Sequence, residues 1–90
     1  SFDSDMRKAM AIMREVSEAH PQCIDNRTPE EIEKGDTVVM VRTLNVLDLG
    51  MQLRAWVWAN NPSVGFEMKC DLIQQIKERF DEAGIQVAFP

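Results

Sequence analysis

Long apolar runs are missing from this chain. The longest, such as residues 38–41 and 55–59, span only a few residues, whereas a helix needs about 20 to cross a bilayer. No basic stretch followed by an apolar one stands at the start, so no signal peptide is expected. Histidine occurs once, at His20, which leaves most hydrolase and transferase schemes without an obvious base. Cys23 and Cys70 are the only cysteines. Two thiols make no disulfide framework, and a reducing compartment is the default. Glycines such as Gly35 and Gly50 stand alone and form no phosphate-cradling G-x-x-x-x-G-K loop. Basic residues are outnumbered, giving a formal net charge of −5. Such a surface repels phosphate backbones and disfavours flat docking on anionic lipid. Its plain consequence is solubility.

What is present reads as one ordinary globular domain. Ninety residues are enough for one compact unit and too few for two. With 44% hydrophobic and 28% charged residues, disorder of the whole chain is not expected. A chain this short buries only about 60–65% of its unfolded surface, so neighbouring chains would add useful stability. The first residues, Ser1-Phe2-Asp3, include no Met, and the chain is expected to be a piece of something longer.

Met6, Ala9, Met10, Met13, Val16 and Ala19 recur at helical steps, with Arg7, Lys8, Arg14, Glu15 and Glu18 mostly between them. This predicts an amphipathic helix over residues 4–19, capped by Asp3 or Ser4 and stopped by Pro21. The methionines at helical spacing are expected to be plain core. Residues 22–36 are polar and read as a long loop, with a short turn at Pro29 capped by Thr28. Residues 37–46 are rich in β-branched side chains and predict a strand. Residues 47–50 supply turn chemistry, and residues 51–59 predict a second strand in an antiparallel hairpin. On it Met51, Leu53, Ala55, Val57 and Ala59 share one face, while Gln52, Arg54, Trp56 and Trp58 share the other. Asn61 and Pro62 open a second long helix with the stripe Val64, Met68, Leu72, Ile73, Ile76 and Phe80. Gly65 within it marks a possible close contact, and Gly84 ends it in the left-handed region. Residues 85–89 predict a final short strand. The order helix-strand-strand-helix-strand predicts an α+β fold: a ferredoxin-like two-layer sandwich lacking its first strand.

Few side chains point to chemistry. His20, Cys23 and Asp25 carry metal-type ligands, but H-x-x-C-x-D is no standard zinc spacing and no second Cys/His pair is near. No metal, cofactor or catalytic residue is assigned. Cys70 has no activating neighbour and is expected to pack. Glu30, Glu31 and Glu33 form an acidic run that reads first as a solvated loop. Trp56 and Trp58 are the most telling residues. If their sheet face is open, two indoles with Arg54 make a protein interface. An aromatic platform for RNA bases is the competing use of such a face. The acidic balance and the lack of an aromatic-basic run weigh against it.

Two segments carry a resemblance. One is Gln52-Leu53-Arg54-Ala55-Trp56-Val57-Trp58. The other runs from Asp71-Leu72-Ile73 through Ile76-Lys77-Glu78-Arg79-Phe80-Asp81-Glu82-Ala83-Gly84-Ile85 to Phe89-Pro90. Together they resemble the end of the small-conductance mechanosensitive (MscS-family) channels. There, a strand with R-x-W-V precedes a helix of the form D-L-L-x-x-I-K-x-x-F-D-E-x-G-I and a strand ending in I-P-F-P. The first helix and its His-Pro exit also look like that family, so the resemblance spans nearly all 90 residues.

The resemblance implies a longer membrane protein in which residues 1–90 are the C-terminal cytoplasmic vestibule domain. It implies a homo-heptamer at the cytoplasmic face of the inner membrane, opening under bilayer tension to pass ions and osmolytes during osmotic stress. Ile85, Val87 and Phe89 would then lie on a strand that meets its symmetry mates, joining Arg54, Trp56 and Trp58 as subunit contacts. Glu30, Glu31 and Glu33 would bias ions at the side portals. The isolated piece could be a monomer or a dimer. The alternatives are a free-standing regulatory domain that binds a small effector, an RNA-binding module, and an enzyme, for which no acid, base and nucleophile trio is visible.

Overall fold

The computed structural model describes residues 1–47 and 50–86. Its elements run α1 (Phe2–Ala19), α2 (Pro29–Lys34), β1 (Met40–Leu47), β2 (Gly50–Trp56) and α3 (Pro62–Glu82). The α+β class is as the sequence predicts.

Helix α1 starts two residues earlier than its apolar periodicity indicates. Ser1 is the cap, its Oγ accepting from the Ser4 N–H at 3.2 Å, while Asp3 and Asp5 occupy the positive first turn. His20, ahead of Pro21, leaves the helix in extended conformation, with φ −63° and ψ 129°. Ala9, Ile12 and Val16 of α1 meet Leu72, Ile76 and Phe80 of α3 in the main core cluster, with Met13, Leu53, Val57 and Ile85 packed around it. Each side chain larger than alanine buried here contributes about 1.5–3 kcal/mol. Helix α1 is the central element, lying against α3 and against both strands.

Helix α3 begins as predicted, with Asn61 Oδ1 accepting from the Val64 N–H at 2.9 Å and Pro62 in the first turn. Its end is a Schellman motif. Gly84 sits at φ +72°, its N–H reaches the Asp81 carbonyl, and the Ile85 N–H reaches back to the Phe80 carbonyl at 2.8 Å. The buried stripe is Met68, Leu72, Ile76 and Phe80, at strict four-residue steps. Ile73 falls beside it and is half exposed. Cys70, expected to pack, is exposed instead: two residues from Met68 and from Leu72, it lies on the opposite side of the helix. Gly65 makes only ordinary contact, because a Cβ there would lie 3.7 Å from that of Ala59.

The polar loop contains a true short helix. Thr28 and Glu31 form a reciprocal capping box, and Gly35 closes α2 at φ +90°. Strand β1 starts at Met40, not Thr37, for a local reason. The buried Val39 donates its N–H to Glu18 Oε2 at 3.0 Å, and its carbonyl accepts from Thr37 Oγ1 at 2.6 Å. Its backbone is thus held by side chains instead of a ladder. Strand β2 stops at Trp56. Beyond it the Trp58 carbonyl accepts from the Ile24 N–H at 3.1 Å.

The hairpin is antiparallel, pairing Met40 with Trp56, Arg42 with Arg54 and Thr43 with Leu53. A bulge between Thr43 and Asn45 inserts Leu44 and leaves Asn45 opposite Gln52. Among the described residues the sheet has these two strands alone. Of the predicted final strand, residues 85–89, the first two are described and carry no strand, and residues 87–89 lie outside the described residues, so the ferredoxin-like detail rests on the sequence.

Candidate functional site

The inner face of the hairpin presents Leu53 and Val57 to the core, with Thr43 Oγ1 3.9 Å from the sulfurs of Met6 and Met10. Strand alternation therefore sends Met40, Arg42, Arg54 and Trp56 to the outer face. The Arg54 guanidinium carbon lies 5.7 Å from the centroid of the Trp56 ring, a cation–π arrangement. Trp58 is 52% exposed, and Met40 stands open beside Trp56. Arg42 and Arg54 are direct cross-strand partners. Like charges in that position repel, and neither has a carboxylate partner among the described residues. Sequence alternation sets Arg54, Trp56 and Trp58 on one face; the structure brings Arg54 over Trp56 and lines one groove with Trp56 and Trp58. Alternation misses Arg42, whose place depends on the strand register; its two-residue spacing from Met40 was the available signal.

A groove of about 680 Å³ opens between this face, α1 and the residues around α2. Arg14, Arg27, Lys34 and Arg42 reach it, as do Trp56 and Trp58. Arg27 is its fixed cation. It donates to both oxygens of Asp25 at 2.8–2.9 Å and to the Asp36 carbonyl at 2.9 Å. The Arg27 hydrogen bonds pull the Asp25 carboxyl down to about 2. Asp25 in turn raises the Arg27 guanidinium above its ordinary value.

The remaining sequence candidates are dispersed. The buried His20 ring accepts the Gln22 N–H at Nδ1, 3.1 Å, which leaves Nε2 as donor to Asp71 Oδ2 at 2.9 Å. This ties the end of α1 to α3. Asp25 is taken by Arg27, and burial pushes the Cys23 thiol up, with Glu18 and Asp25 adding to it. His20, Cys23 and Asp25 therefore have separate engagements, and no metal-competent group of three such ligands exists among the described residues. Glu30 and Glu31 stand in the first turn of α2. Glu31 accepts the Thr28 N–H at Oε1, and that bond, first of all, lowers its carboxyl. Glu33 is exposed on the same helix. Ile85 packs on its own chain's core, while Val87 and Phe89 lie outside the described residues.

These features define a class: a small helix-pair and hairpin domain with a buried helix seam and an open aromatic-cationic sheet face. The chain belongs to the family described as "Mechanosensitive ion channel MscS, C-terminal", which matches residues 1–87. It is also similar to an uncharacterized MscS family protein of Archaeoglobus fulgidus, at 28% identity over 90 residues. That alignment covers 99% of this chain and 28% of the relative, so the chain spans just over a quarter of the relative's length. No solved structure matches the chain. Among the described residues no helix is long and apolar enough to cross a membrane.

Proposed function

We propose that residues 1–90 are a single soluble domain, the cytoplasmic vestibule and assembly domain of a longer channel protein. The channel opens under membrane tension and releases ions and small osmolytes. Its copies assemble as a homo-heptamer at the cytoplasmic face of the inner membrane. The observation that carries this reading is family membership across residues 1–87. The open hairpin face supports it: Arg54, Trp56 and Trp58 stand away from the core of their own chain, and indoles beside an arginine are the side chains that anchor protein interfaces. Ile85, Val87 and Phe89 would add contacts through the chain end. The role requires neither cofactor nor catalytic residue.

The test is Trp56→Ala in the full-length channel. Loss of the heptamer by light scattering in detergent is the expected result, and an unchanged heptamer mass would remove Trp56 from the interface. Glu30, Glu31 and Glu33 would bias ion passage near the portals. Converting all three to Gln is expected to shift the reversal potential under a salt gradient; an unshifted potential would reject that role.

A further inference from the structure

The groove beside the hairpin holds a charge imbalance that the assembly role does not use. The whole chain carries −5, yet four cations and only two carboxylates, Glu31 and Asp36, line this groove. Most of these charges are already engaged. Arg27 holds Asp25, Lys34 lies 3.5 Å from Asp36, and Glu31 is turned to its own helix cap. Arg14 and Arg42 are left with no carboxylate among the described residues. They come from different elements, α1 and β1, and reach the same groove. Arg42 also faces Arg54 across the hairpin, so an anion beside it would relieve the repulsion between them.

The aromatic lining divides in the same way. Arg54 covers Trp56, whereas Trp58 lines the groove and is half exposed. An indole ring offers a planar base a stacking surface, and a guanidinium fork matches the oxygens of a phosphate. The volume, about 680 Å³, lies within the range of about 300–1,000 Å³ that suits a small organic ligand.

We propose that this groove binds a nucleotide-sized organic anion, its phosphate groups against Arg14 and Arg42 and its planar ring against Trp58. A nucleic-acid strand is a poorer occupant, because its continuous charge would also meet the acidic remainder of the surface. Trp58 is shared with the proposed subunit interface, so the decisive variants are Arg14→Gln and Arg42→Gln, which lie outside that interface.

Equilibrium dialysis of the full-length protein with radiolabelled ATP tests it, with tripolyphosphate and adenosine as unlabelled competitors. The expected result is saturable binding that weakens with added salt. Arg42→Gln, Arg14→Gln and Trp58→Leu should each weaken it by roughly tenfold. Tripolyphosphate, which lacks the ring, should compete roughly tenfold more weakly than unlabelled ATP, and adenosine, which lacks both arginine contacts, roughly a hundredfold more weakly. Circular dichroism and elution volume matching the parent protein identify variants that remain folded, and the two arginine substitutions lie on separate elements. Absence of saturable binding, or affinity unchanged in folded Arg14→Gln and Arg42→Gln, overturns the proposal. Equal competition by tripolyphosphate and ATP also overturns it, because the ring would then have no place in the site.

Discussion

Between α1 and α3, apolar side chains meet one another; on the outer face of the hairpin, Trp56 meets an arginine and Trp58 stays half open. Both regions are rich in large side chains, but only the first uses them to close the fold. The helix seam is reinforced at its margins by His20 with Asp71 and by Glu15 with Arg79. The hairpin face sets Arg42 against Arg54, an arrangement that does nothing for folding. The difference teaches that one face of this domain is committed to its own chain and the other is left open by it.

Substitutions can break this contrast. Phe80→Ala, in the seam, should cost about 3–5 kcal/mol in urea denaturation. A cost below about 1 kcal/mol, the size typical of a surface change, would mean that the seam is not the core. Thr28→Ala removes half of the α2 capping box and should cost about 1 kcal/mol, seen as faster amide exchange at Glu31. Unchanged exchange there would show that α2 is held by other contacts. Arg42→Thr should leave stability within about 0.5 kcal/mol of the parent. A larger loss would bring the outer face into the fold and erase the comparison.

The smallest effect is local and spectroscopic. Asp25 is held at about 2, below its ordinary 3.8, by Arg27. A depressed carboxyl contributes stability that is fully present above 3.8 and is lost as pH falls through about 2. A carbon-detected NMR titration should place the Asp25 midpoint near 2, and Arg27→Gln should return it toward 3.8. A midpoint already at the ordinary value in the parent protein would dissolve the pair that steadies the groove.

Features set by neighbouring residues were legible in the sequence. The caps at Thr28 and Asn61, the stop at Pro21, the left-handed Gly84 and the alternation that parts Leu53 from Arg54 all follow from residues a few positions apart. The family resemblance was legible for the same reason, resting on two contiguous segments. Features that need distant residues were not. The start of β1 depends on Glu18 reaching Val39, and the role of His20 depends on Asp71. The meeting of Arg42 with Arg54 depends on a register that hydrophobic alternation alone leaves open. The groove has no motif because α1, β1 and the residues around α2 each give it only a few side chains.

The seam between the first and the last helix also orders events in time. Ala9, Ile12 and Val16 have their core partners at Leu72, Ile76 and Phe80. The hairpin between them closes within itself, on a scale of about 1–10 μs. Helix α1 must wait for a chain segment some sixty residues away, and at a synthesis rate of about 5–20 residues per second that is a delay of roughly 3–12 s. Throughout that interval the seam residues of α1 lack their α3 partners and have only the hairpin, once it is made, to pack against. The ribosome-bound nascent chain is therefore where this domain is most open to chaperones and to premature association with other copies of itself.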